Sequence, residues 1–119
     1  MTTGFDIAME AALVGHMAHM GETISYTPSG SGAVSRTAIV HLGESRIEDD
    51  DGGEYMLHPA EVTAYNDATT GIAAPAQGDT ATFRSESWAY VGHDPSATHH
   101  RIFFERKERL HIGARGGPV

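Results

Sequence analysis

Polar and apolar residues alternate in short runs along most of this chain, and apolar residues recur at helical spacing only near its start. The clearest run is 77–106, where Gly78-Asp79 opens a strand over Thr80–Phe83 and Arg84-Ser85-Glu86-Ser87 reverses the chain. Trp88–Val91 then forms a second strand, Asp94-Pro95-Ser96 a turn, and His99–Glu105 a third strand. Period-two counting places Ile102 and Phe104 on one face of that third strand. Phe103 falls on the other face with Arg101 and Glu105, so it needs a helix, a second sheet or another subunit against it.

Upstream, residues 4–20 predict a helix. Thr3 and Asp6 resemble a capping box, and Gly21 supplies a stop. Phe5, Met9, Leu13, Met17 and Met20 make one apolar stripe, and Ile7, Ala11, Val14 and Ala18 a second. A core uses only one of them, so the second suggests a subunit contact. Residues 22–27 and 33–42 predict strands around the turn Pro28–Gly32, with Arg36 interrupting the apolar face of Val34, Ala38, Val40 and Leu42.

Two segments predict loops. Residues 43–53, GESRIEDDDGG, crowd three aspartates between glycines, with Ile47 the one large apolar side chain. Residues 54–57 predict a short strand that His58-Pro59 ends, and Pro59–Val62 suits one helical turn. Residues 63–76 then form a second loop, whose bulky groups are Tyr65 and Ile72, and residues 110–119 read as a tail.

Composition narrows the class. A chain of 119 residues predicts one domain, mainly β, a small barrel or sandwich over about 22–108 with one N-terminal helix and long loops. It has no cysteine, which excludes thiolate chemistry, disulfides and cysteine-ligated zinc. No apolar run approaches the roughly 20 residues of a membrane-spanning helix, and the start lacks the basic region of a signal peptide. The formal charge of −8 opposes adhesion to DNA. Residues 101–119 nevertheless hold five basic against two acidic residues, so a basic end follows an acidic body, which suggests complementary contact between subunits or partners as readily as a solvated acidic surface and a frayed basic end.

Candidate chemistry is sparse. Eight histidines include His16 and His19 on the predicted helix and His93, His99 and His100 around one hairpin, without an HExxH pattern. Half-buried or terminal histidines explain them more simply than ligands do. Asp49, Asp50 and Asp51 lack the spacing of an EF-hand loop. No GxSxG, GxGxxG or P-loop occurs. No catalytic residue, metal or cofactor is therefore assigned, and the chain is expected not to be an enzyme.

Ser31-Gly32-Ala33-Val34, His58-Pro59-Ala60-Glu61-Val62, the GDTxTF-type run Gly78–Phe83, and Trp88-Ala89-Tyr90-Val91 before Asp94-Pro95 follow one another in a characteristic order. In that order the chain resembles the lambda-type head-tail joining (head-completion, or stopper) proteins of long-tailed bacteriophages, with 63–76 as an insertion. The resemblance implies a structural virion protein of the neck, assembled in the host cytoplasm as a ring of six or twelve copies. Portal or adaptor proteins would lie on its head side, a tail terminator or tail-tube protein on its tail side, and DNA would pass without specific binding. Arg46, Ile47, Asp49, Asp50, Asp51, Tyr65 and Ile72 are the expected docking or channel-closing residues. Phe103, Arg106, Lys107 and Arg109 are expected at ring or portal-side contacts. Three alternatives are a tail terminator or other tail-tube barrel, a small cupin-like histidine metalloenzyme, and a module that binds a host protein.

Overall fold

In the computed structural model, residue 17 and residues 19–110 are described. The helix expected over 4–20 lies outside them apart from Met17, His19 and Met20, as does the tail after Leu110. Seven strands follow: β1 (Glu22–Thr27), β2 (Val34–Leu42), β3 (Arg46–Asp50), β4 (Gly53–Tyr65), β5 (Thr80–Phe83), β6 (Glu86–Pro95) and β7 (His99–Arg109). Neighbours run β2-β1-β5-β6-β7-β4-β3, and β2 also pairs with β4. That extra pairing closes six strands into a barrel and decides between the two expected architectures. All pairings are antiparallel.

The interior is filled. Ile24, Val62, Ile102 and Phe104 are almost fully buried, each contributing about 1.5–3 kcal/mol relative to exposure. Ala38, Ala60, Ala64 and Ala81 leave room for the rings of Phe83, Trp88 and Phe104, the small-against-large fit a narrow barrel needs. Phe83 stacks on Trp88 at 4.8 Å and meets Phe104 edge-on at 6.0 Å.

Three expected boundaries change. The run 43–53 is not a loop: residues 46–50 form β3 in a hairpin on β4, with Asp51-Gly52 as its turn. The short strand does not stop at Pro59, and Pro59–Val62 makes no helical turn. β4 runs through to Tyr65 and pairs with β7 at eleven consecutive positions. Pro59 fits because its carbonyl accepts from Gly43 N–H at 2.9 Å, on the side where β3 gives way to β2. A strand residue points both backbone groups to one side, so the missing N–H falls in that gap and leaves the ladder to β7 intact. The reversal after β5 is also tighter than expected, being only Arg84-Ser85, while β6 starts at Glu86 and runs through Pro95.

Candidate interaction surface

Pro59 marks a change of neighbours and of inward face. Above it Ala60, Val62 and Ala64 are buried in the barrel, whereas below it Tyr55 and Leu57, of opposite parity, are buried on the outer side. Below Pro59, β3, the first half of β4 and the end of β7 form a three-stranded arm that leaves the barrel. Its outer face is covered by long charged side chains rather than by a second layer. Lys107 Nζ lies 4.4 Å and the Arg109 guanidinium 5.4 Å from the Tyr55 ring centroid.

Asp50 ties this face together. It accepts from Arg109 Nη1 at 2.8 Å, from Lys107 Nζ at 3.2 Å and from Gly52 N–H at 2.8 Å. The Arg109 bond, first among these, holds its carboxyl well below the usual range. Arg46 bonds Glu48, which also accepts from Tyr55 Oη at 3.2 Å. These pairings explain why an acidic run forms a strand: β7, on the far side of β4, supplies cations that offset its self-repulsion. Ile47 lies on the opposite face and is 59% exposed, and Asp49 and Asp51 are exposed.

Where the arm joins the barrel, His58 bonds Ser45 Oγ through Nδ1 at 2.6 Å and Glu108 through Nε2 at 2.9 Å. The three groups stand in the order serine, histidine, carboxylate, but serine meets Nδ1, the reverse of the serine-hydrolase arrangement. Their evident effect is to fasten the β2–β3 crossing to β7. Arg106, expected at an interface, instead closes this barrel end: its guanidinium lies 5.3 Å from the Trp88 ring and Nη1 is 3.7 Å from Glu86. Its buried Nε has no hydrogen-bond partner.

The other barrel end is closed by residues 66–79. Ile72, expected on a docking loop, is 4% exposed and belongs to the core, so its side chain is not presented to a partner. Tyr65 is half-buried at the end of β4, and its carbonyl accepts from Ile72 N–H at 2.9 Å. Arg36, which broke the apolar pattern of β2, donates to Gly71 O at 2.8 Å and Ala68 O at 2.9 Å. Buried Asp79 accepts from Tyr26 Oη, Ser29 N–H at 2.8 Å and Ala76 N–H at 2.9 Å. Burial, reinforced by Asp79, pushes the Tyr26 phenol far above its ordinary value. His100 donates through Nε2 to Ala73 O at 3.2 Å, and its Nδ1 is buried without a partner. Burial lowers its pKa, favouring the neutral ring.

Phe103 is half-buried on the outer wall, with the Arg101 guanidinium 5.6 Å from its ring. Arg101 in turn makes a two-point contact with Glu61 at 2.8 and 3.0 Å. Among the described residues no three His, Asp or Glu side chains are placed to hold a metal ion. The expected site residues therefore divide: Arg46, Ile47, Asp49, Asp50, Asp51, Lys107 and Arg109 gather on the arm, while Tyr65, Ile72, Phe103 and Arg106 do not join them. Glu48 and Tyr55, which sequence reasoning passed over, complete the arm, and no local alternation in 46–57 signalled them. Compared with known proteins, the chain matches no family model and no curated protein.

Proposed function

We propose that this protein is a contact-forming component of a long-tailed phage neck, assembling as a ring of six or twelve copies that joins the DNA-filled head to the tail. The observation that carries the reading is the arm: an ion-paired projection from a filled barrel, bearing an exposed Ile47 among acids. A solid barrel with a projecting sheet is built to hold a neighbour rather than to enclose a substrate. The order of sequence motifs adds the neck as the place where such a part is used. In that setting the acidic body repels the passing DNA instead of retaining it. Portal or adaptor proteins cover one side of the ring, and the tail terminator or tail-tube protein covers the other.

Electron microscopy of the virion that encodes this chain tests the proposal. Density for the barrel and arm is expected in the neck between portal and tail. Its absence there, with the neck fully accounted for by other chains, overturns the reading.

A further inference from the structure

The closed barrel has no sheet edge of its own, but the arm has two. One is the outer side of β3, which pairs only with β4 among the described residues. The other is the end of β7, because the β6 ladder on β7 begins at the Ala89–Glu105 pair and leaves residues 106–109 without a strand on that side. A groove of about 380 Å³ opens there, with Leu57, Ala89, Val91 and Lys107 in its lining. Unpaired strand edges template the addition of another strand.

The two edges are unlike in charge. β3 carries Glu48, Asp49 and Asp50 against Arg46, whereas the β7 end carries Arg106, Lys107 and Arg109 against Glu108. Within one chain, the two cations Lys107 and Arg109 share the single carboxylate of Asp50. The β7 edge therefore keeps positive charge to offer.

Direction and register agree with this. β3 and β7 both run antiparallel to β4, so they are parallel to each other. A second copy brought alongside in the same orientation presents its β3 to this β7 as a parallel neighbour. With Glu48 set beside Lys107, parallel pairing places Asp50 beside Arg109. Both pairs are opposite in charge and lie on the Tyr55 face. On the other face Ile47 comes beside Arg106, and Asp49 beside Glu108 is the one like-charged pair. Antiparallel pairing through the same two residues instead sets Arg46 beside Arg109, a repulsive pair.

We infer that the arm is a head-to-tail joint in which β3 of one copy adds, in parallel, to the β7 end of the next. The inference rests on the ring reading above and supplies its joint. Such a contact uses two different surfaces, so it propagates around a closed ring rather than stopping at a dimer.

Because the chain has no cysteine, introduced thiols report the joint directly. Glu48→Cys alters a half-buried side chain and Lys107→Cys an exposed one, and thermal melts confirm that each variant folds. Neighbouring parallel strands lie within disulfide reach. On mild oxidation of concentrated full-length protein, a mixed E48C–K107C disulfide is expected, with none from either variant alone and none from R46C mixed with R109C. Oligomers in native mass spectrometry without the mixed disulfide overturn the joint and leave the ring reading standing. Crosslinking of E48C to itself, or of R46C to R109C, also overturns it by assigning a two-fold or antiparallel contact. Protein that neither associates nor crosslinks at any concentration overturns the joint, and the ring reading is then decided by the neck density alone.

Discussion

Two isoleucines that look alike in sequence have opposite roles. Ile72 fills the barrel end at 4% exposure and Ile47 stands 59% exposed on the arm. Truncating Ile72 to alanine is expected to cost about 2–5 kcal/mol in denaturant unfolding, the range for a buried aliphatic side chain. Ile47→Ala should leave unfolding within about 0.5 kcal/mol of the parent, as surface substitutions do, and lower association instead. Equal destabilisation by both would contradict this division. His100 adds a pH dependence. Its folded pKa is below the ordinary 6.5, so the unfolded chain binds the extra proton first as pH falls. Stability is therefore held above about pH 6.5 and declines in acid. His100→Gln should flatten that decline in melting curves recorded against pH, and an unchanged slope would assign the acid loss to other groups.

At the scale of elements, the alternation 22–27 and 80–83 marked β1 and β5 to the residue, because each lies wholly in the barrel with one wet face. Where alternation failed as a guide, the cause was a neighbour that local sequence does not display. The change of phase at His58-Pro59 reads as a strand end, but it records a strand passing from barrel to arm. The acidic run 48–51 reads as a loop because Lys107 and Arg109, its counterions, are more than fifty residues away. Of the site, the charged and apolar members of the arm were legible, whereas their convergence required the β4–β7 register. The β5–β6 turn carries its own strain: Arg84 and Ser85 sit at φ of +53° and +67°, the left-handed region that two-residue hairpins require and side chains disfavour. Arg84 is anchored there by a two-point contact with Glu22. Ser85→Gly should raise stability by about 1 kcal/mol, read as a higher melting temperature. A lower one would show that Ser85 contributes something the turn geometry does not account for.

For the molecule as a whole, the proposed joint between an acidic body and a basic β7 end predicts association that is electrostatic in origin. Added salt screens exposed charges over about 8–10 Å at 0.1–0.15 M, so oligomers seen by native mass spectrometry or light scattering should dissociate as ionic strength rises. Association that strengthens with salt would instead point to apolar burial as the main term. The packed interior sets one further condition on any assembly. Phe83, Trp88 and Phe104 occupy the space that a wider barrel would leave open, so nothing threads through a single subunit. In the proposed ring, any conduit must be the hole left among subunits, and its bore then follows from how many copies close the circle. A change at the joints that admitted or expelled one copy would alter the aperture without altering the fold of any chain.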